Sequence, residues 1–258
     1  MFSFLKKKHK EKELDTIEKK EDFENIETIA NYFRNETGIT FDKQISILKN
    51  KVITFCRLRE IYSIKELLQN ISHNTQLKQE LIDYLTTNET FFYREFKQIE
   101  ELVNLVKKQD NKVDILCAPS ATGEEPYSIA IALIEAGIPP HMFHIVGIDI
   151  NNEAITKAKE AIYKQRNIRN LSQAVLSKYF MKNDTGYILS QSIKSQVTFK
   201  VINIFDPSFN HIGRFDYIFS RNMLIYFDKE VKLKAKRILE DLRKNQNQEV
   251  FFGHADLF

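Results

Sequence analysis

The sequence predicts an α/β protein: a mostly parallel sheet carrying a small inserted antiparallel β-subdomain, preceded by an all-α N-terminal domain. Three observations carry this. Residues 22–108 show helical periodicity and no β-alternation. From Lys112 onward, short apolar runs alternate with amphipathic helices, the pattern of parallel strands joined by right-handed crossovers. Residues 167–196 then break that alternation.

Taken in order, residues 1–20 hold seven lysines and four acids and account for the whole net charge of +3, because the remaining 31 basic and 31 acidic residues cancel. This low-complexity stretch reads as a disordered basic tail; contact with an anionic partner is the alternative. Ile26, Ile29, Ala30 and Phe33 fall at helical spacing, and Gly38 stops that helix. A second helix is expected over 41–62, with Ile45, Leu48, Val52 and Cys56 on one face. Lys43, Lys49, Lys51, Arg57 and Arg59 make it basic. Short helices follow at 63–69 and 77–85.

The apolar run 113–118 suits a buried strand. A helix over 126–136 turns Ile129, Ala130, Leu133 and Ile134 inward and ends at Gly137, Pro139 and Pro140. Residues 144–149 form the second strand. The helix after it, over 152–163, aligns Ala154, Ile155, Ala158 and Ile162. Strands are expected at 197–202, 215–220 and 249–253, with a helix over 229–243 between the last two. Within 167–196, Tyr187-Ile188-Leu189 and the residues around Ile193 read as short strands about a turn at Asp184-Thr185-Gly186. The domains are therefore expected at 21–95 (helical) and 96–258 (α/β, with the insertion at about 167–196), after the tail at 1–20.

Composition limits the function. At 43% hydrophobic and 28% charged, the chain can bury a core, and no stretch approaches the roughly 18 uncharged apolar residues of a membrane helix. Its first apolar residues precede their lysines, the reverse of a secretory signal. Cys56 and Cys117 make no disulfide framework or metal spacing and fit a reducing cytoplasm. A charge-balanced body argues against a dedicated nucleic-acid face. A cytoplasmic monomer is expected, without membrane insertion, nucleic acid or metal.

The strongest local signal runs from Leu116 to Ser128. A buried strand enters a loop of small residues, then a helix opened by Glu124, Glu125 and Pro126. Proline suits the first helical turn because its missing N–H is not needed there. Small loop residues admit close backbone approach, and N–H groups at a helix start suit an anionic group. The loop has one glycine, Gly123, where a dinucleotide fingerprint has three. Two glutamates would repel a pyrophosphate but can hold an ammonium, so S-adenosylmethionine fits better. An ordinary turn with an acidic first turn complementing the macrodipole explains the same residues equally well. Asp149, ending the second strand, is placed to accept from ribose hydroxyls, or to form an Asx turn before Asn151-Asn152. Together the two features favour a nucleoside ligand.

Several longer stretches then resemble one family. Thr87-Asn88-Glu89-Thr90-Phe91-Phe92-Tyr93-Arg94-Glu95, the turn above, Ile148-Asp149-Ile150 and the run from Phe215 to Asp228 resemble the chemotaxis receptor glutamate methyltransferases, the CheR family. Gly253-His254-Ala255-Asp256 is similar to the family's Gly-His-Ser-Glu. The likeness runs in order from about Gly38 to the C-terminus. It implies a Rossmann-like S-adenosylmethionine methyltransferase sheet, with S-adenosyl-L-homocysteine as product and the cytoplasmic domains of chemotaxis receptors as partners. Carried over by position, it implies a cofactor site of Asn88, Thr90, Arg94, Glu125, Asp149, Asn203, Ile204, Ser220 and Arg221, with Arg94 and Tyr226 facing the substrate as catalytic residues. Pro119 stands in a loop where the family has alanines, and Asn245-Gln246-Asn247-Gln248 where a Pro-Gly turn is common. The chain ends soon after its fifth strand, where members continue with an antiparallel pair, so one sheet edge is expected to be shorter.

The implied reaction is attack of a glutamate carboxylate on a sulfonium methyl. A glutamate of pKa ~4.3 is already ionised at neutral pH, so no general base is required. Each assignment has a structural counterpart. Arg94 can instead pair with Glu95 or Glu89, Tyr226 can be a core aromatic beside Phe227, Asn203 can be a turn residue, and His254 reads as structural. The basic second helix can recognise an acidic receptor helix or simply be solvated. Methylation of another protein or of RNA, and a non-catalytic cofactor-binding scaffold, are the competing functions.

Overall fold

The computed structural model describes residues 21–42, 44–248 and 250–256. The expected tail at 1–20, Lys43 of the basic helix and Glu249 at the start of the last strand lie outside the described residues. The chain begins with four helices: α1 (Ile26–Thr37), α2 (Ile45–Arg57), α3 (Ile64–His73) and α4 (Thr75–Leu85). Each is amphipathic and too short to be stable alone, so their stability comes from a shared core. That core holds Ile29, Phe33, Leu48, Val52, Phe55, Leu67, Ile71, Leu81 and Leu85. Gly38 ends α1 in the left-handed conformation, its N–H 2.8 Å from the Arg34 carbonyl oxygen. Ser63 and Asn74 cap α3 and α4 through their side chains.

α5 (Phe96–Val106) leads into the sheet: β1 (Val113–Cys117), α6 (Glu124–Glu135), β2 (Phe143–Asp149) and α7 (Asn152–Glu160). The insertion follows as β3 (Ile162–Tyr163), α8 (Gln173–Tyr179), β4 (Phe180–Lys182), β5 (Tyr187–Leu189) and α9 (Gln191–Lys194). The sheet resumes with β6 (Val197–Val201), β7 (Tyr217–Ser220), α10 (Lys229–Asp241) and β8 (Val250–Phe252). The five long strands run in the order β6-β2-β1-β7-β8, all parallel. The chain winds to one side of β1 through β2 and β6, then crosses to β7 and β8. The carboxyl ends of β1 and β7 therefore border a crevice at the switch in winding direction, the usual ligand position in such sheets.

Strand alternation explains why both sheet faces are dry. Ile115 and Cys117 of β1 point into one core with Ile145, Phe199, Tyr217, Phe219 and the helices α5 and α6. Leu116, Val146, Ile148 and Ile218 point into the other, against Ala235 and Leu239 of α10. No described helix is long and apolar enough to cross a membrane.

The structure corrects four local readings. The second helix spans Ile45–Arg57, shorter than 41–62, and Ile45 is exposed while Leu48, Val52 and Cys56 are buried. The helix expected over 152–163 stops at Glu160. Ala161 turns left-handed, and Ile162 lies exposed on β3 rather than on the helix face. Ile193 is fully buried in α9, not in a strand. Tyr187-Ile188-Leu189 instead forms the centre of an antiparallel sheet between β3 and β4. The missed partners β3 and β4 have two and three residues, too few to show alternation.

Candidate active site

A cavity of about 320 Å³ lies at the carboxyl ends of the strands. Its floor is the β1–α6 loop, 118–121, with Ile148, Asp149 and Ile150 after β2 and Ile202, Asn203 and Ile204 after β6. Asn88, Thr90 and Arg94 form one wall, and Arg221, Asn222, Met223, Ile225, Tyr226 and Phe227 another. The ends of α1 and α2 and the loop between them supply a roof that sequence reasoning did not foresee: Thr37, Ile39, Thr40, Phe41, Gln44, Ile47 and Lys51. Hydrogen bonds fasten this roof. Thr40 donates its backbone N–H to the Tyr226 carbonyl at 2.9 Å, and Arg34 pairs with Asp228 at 2.6 Å. The Asn203 amide donates to the Glu36 carbonyl at 2.6 Å.

The β1–α6 loop is built around Gly123. Its φ of +92° is left-handed, and a Cβ there would sit 3.0 Å from that of Ala158. The two glutamates that follow diverge. Glu124 is fully buried, accepts hydrogen bonds from Thr122 Oγ1 (2.6 Å) and Asn167 Nδ2 (2.7 Å), and is not on the cavity wall. Burial raises its pKa. It braces the loop against the insertion, as does the Tyr163 hydroxyl donating to the Thr122 carbonyl at 2.9 Å. Of the two acids expected at the mouth, only Glu125 faces the cavity.

Glu125 forms a buried ion pair with Arg221 Nε. Its other oxygen, Oε1, is buried without a hydrogen-bond partner among the described residues. The Cys117 thiol nearby is held neutral, pushed well above its usual pKa by burial and by the charge of Glu125. Arg221 also donates to the carbonyl oxygens of Arg94 (2.8 Å) and Glu95 (3.3 Å). One guanidinium fork thus ties the start of α6, the end of β7 and the segment before α5 together.

Asp149 is buried, and its two oxygens accept N–H bonds from Ala121 (2.8 Å) and Asn151 (2.9 Å). Burial nevertheless pushes its carboxyl up to about 6. The Asx-turn reading is therefore correct in part, and the side chain also lines the cavity. Asn151 is the residue that caps α7, while its amide donates to Asp83 and Thr86 at the end of the helical region.

Lining the cavity, the Arg94 side chain makes one hydrogen bond among the described residues, to the Glu89 carbonyl at 3.2 Å, and lies 5.6 Å from the Phe91 ring centre. Among the described residues the ion pairs proposed as its alternative do not form; Glu95 pairs with His254 instead, at 2.9 Å. Tyr226 is 39% exposed and is no core aromatic. Burial raises its pKa, with the charge of Arg94 acting in the opposite direction, and both residues line the cavity.

The remaining expected residues are placed unevenly. Ile204 offers an apolar wall. Asn203 spends its amide oxygen on the Phe205 N–H (3.0 Å) and one hydrogen on Glu36, so its side chain serves as a turn and a fastener. Ser220 is fully buried at the end of β7, its hydroxyl unpartnered among the described residues, and is not a lining residue. Arg57 at the end of α2 is paired with Glu21 and Arg59 just beyond it with Glu80, while Lys51 of α2 lies on the cavity wall.

The family described as CheR methyltransferase, SAM binding domain, matches residues 88–258. The chain is 35% identical over 222 residues, 86% of its length, to a chemotaxis protein methyltransferase of Campylobacter jejuni, of which it covers 84%. It is 34% identical over 192 residues to the chemotaxis protein methyltransferase of Salmonella typhimurium, covering 72% of this chain and 66% of that one. A probable biofilm formation methyltransferase WspC of Pseudomonas putida is 33% identical over 186 residues, 69% of this chain and 44% of the relative.

Proposed function

The chain belongs to the CheR methyltransferase family and is an S-adenosylmethionine-dependent methyltransferase, and from that premise we propose that it methylates glutamate side chains in the cytoplasmic domains of chemotaxis receptors. The product is a glutamyl methyl ester. The observation that carries the reading is the presence of both Arg94 and Tyr226 on the wall of an acid-lined cavity. We further propose that the enzyme works in the cytoplasm as a monomer, with a helical domain over 21–95 and a catalytic domain over 96–258. Separate hydrophobic cores support two domains, with the helical core ending at Leu85 and Phe92 already packed in the core of the sheet.

The residues suit the cofactor. The unpartnered buried oxygen of Glu125 is an acceptor awaiting a cationic donor such as the ammonium of the methionine moiety. Asp149 keeps lone pairs beyond its two backbone bonds for ribose hydroxyls. Ile148, Ile202 and Ile204 give a flat base an apolar bed. Asn88 and Thr90 offer hydrogen bonds from the opposite wall. When bound, S-adenosylmethionine supplies a methyl group made electrophilic by its sulfonium charge.

The protein's own work is positioning. The acceptor carboxylate is already ionised at neutral pH, so no side chain need remove a proton. Arg94, without a carboxylate partner among the described residues, presents a planar fork suited to an incoming carboxylate. Its backbone is held by Arg221, so the fork is aimed before substrate arrives. Tyr226 offers a neutral hydroxyl beside it. The roof over the cavity lowers its exposure to solvent, which strengthens each of these interactions.

Arg94→Ala tests the reading. It removes one weak internal hydrogen bond, so the fold should survive, while methyl transfer to receptor fragments should fall ~10²-fold or more. Retention of more than half the wild-type rate would refute the role of Arg94.

A further inference from the structure

The reading of Tyr226 above leaves open what holds it in place, since five residues separate it from Ser220, the last residue of β7. The chain leaves Ser220, passes through Asn222 in the left-handed conformation (φ 60°), and closes one 3-10 turn over Leu224–Tyr226. The N–H groups that begin such a turn have no partner within it. Here they meet a carboxylate from more than thirty residues downstream. Asp256, fully buried, accepts from the N–H of Asn222 through Oδ2 and from that of Ile225 through Oδ1 at 3.2 Å. Gly253 permits the approach. A Cβ there would lie 3.0 Å from both Asn222 N and Asp256 Oδ2, and 3.2 Å from Arg221 Cα. The last described segment is therefore packed closely against the residues just before Tyr226.

We propose, resting on the role given to Tyr226, that Asp256 is a positioning residue for methyl transfer: its carboxylate fixes the 222–226 turn and so holds the Tyr226 hydroxyl at the cavity mouth. Asp256 lies too deep to touch either substrate. Arg94 and Tyr226 both line the cavity, and Asp256 holds the N–H of Ile225, the residue just before Tyr226. His254, two residues earlier, points away to Glu95 at 2.9 Å and is 76% exposed. The chemistry of this C-terminal motif is therefore carried by its acid and its glycine.

The test combines hydrogen exchange with kinetics on the full chain. Asp256→Asn keeps the size of the side chain but turns one acceptor into a donor facing an N–H. It should speed exchange of the peptide covering 222–226 at least tenfold while the peptides of β1 and β2 stay unchanged. It should lower kcat ~10²-fold and leave KM for S-adenosylmethionine within about twofold, because Glu125 and Asp149 are untouched. Asp256→Glu, which restores an acid, should recover at least part of kcat. In a Tyr226→Phe background the kcat loss from Asp256→Asn should shrink markedly, since the two substitutions act through one hydroxyl. Unchanged exchange at 222–226, or equal kcat losses in both backgrounds, overturns the proposal. Global loss of exchange protection in Asp256→Asn, unrelieved in Asp256→Glu, also overturns it, by assigning Asp256 to folding alone. Full activity of Tyr226→Phe by itself refutes instead the reading of Tyr226 on which the proposal stands.

Discussion

Replacing Arg221 by methionine should damage stability and catalysis together, for separable reasons. The side chains of Arg221 and Glu125 are 2% and 10% exposed, so the pair is not screened by water. Removing one partner of a buried pair costs about 3–5 kcal/mol, because the other charge stays buried and unpaired. Arg221→Met also strands the Arg94 and Glu95 carbonyl oxygens, although these lie nearer the surface and water can serve them. For a chain of this length each kcal/mol lowers Tm by roughly 2–4 °C, so the expected fall is about 10 °C. Adding Glu125→Gln should recover a good part of that loss, since it removes the stranded charge. Catalysis should not recover. The carbonyl bond that aims Arg94 is gone in both variants, and kcat should stay ~10²-fold down. Thermal unfolding of the four proteins of this cycle, with methyl-transfer rates on the same samples, checks both halves. A Tm loss below about 2 °C in Arg221→Met, or equal losses in the single and double variants, would refute the buried-pair reasoning.

Three further outcomes are expected. Because Asp149 is raised from 3.8 to about 6 in the folded state, its burial as a charge is unfavourable; the ligand-free protein should gain up to about 3 kcal/mol from this group as pH falls from above 6 to below 4. Urea unfolding across that range should show this slope in the wild type and lose it in Asp149→Asn; parallel curves would contradict the assignment. Gly123→Ala, at φ +92° and facing Ala158, should cost ~1–3 kcal/mol of stability and weaken cofactor binding at least tenfold by calorimetry; wild-type affinity would show that the loop has another conformation to adopt. Glu125→Gln should lower cofactor affinity at least tenfold while Glu124→Gln changes it less than threefold, since only Glu125 faces the cavity; equal effects would place both acids at the ligand.

Much of this architecture was legible in the sequence because local rules produce it. Gly38, the Pro139-Pro140 break and the apolar runs of β1 and β2 each declare an element within a few residues. The order strand, small-residue turn, acidic helix start, then strand ending in Asp149 locates the crevice without any long-range information. What was not legible depends on contacts distant in sequence. The roof of Thr37 to Lys51 meets the strand ends only through tertiary bonds such as Arg34 to Asp228, and no periodicity in α1 or α2 foretells them. The two glutamates of the turn look alike in sequence; Asn167 and Arg221, forty-three and ninety-six residues away, decide that one braces the loop and the other faces the cavity. Nothing local to the Gly253-His254-Ala255-Asp256 motif foretells that its acid reaches back to Asn222. The antiparallel insertion was found by its centre, Tyr187–Leu189, and missed at its edges because β3 and β4 are too short to alternate.

The central claim is that the acceptor is a glutamate carboxylate of a chemotaxis receptor. Incubation of purified receptor cytoplasmic fragments with this enzyme and methyl-labelled S-adenosylmethionine, followed by mild base, tests it most directly. Label should enter the fragments, leave as volatile methanol on base treatment, and be lost when the labelled glutamates are changed to alanine or the enzyme carries Arg94→Ala. Base-stable label, or label that enters RNA or other proteins while every receptor fragment stays unmodified, would contradict the account.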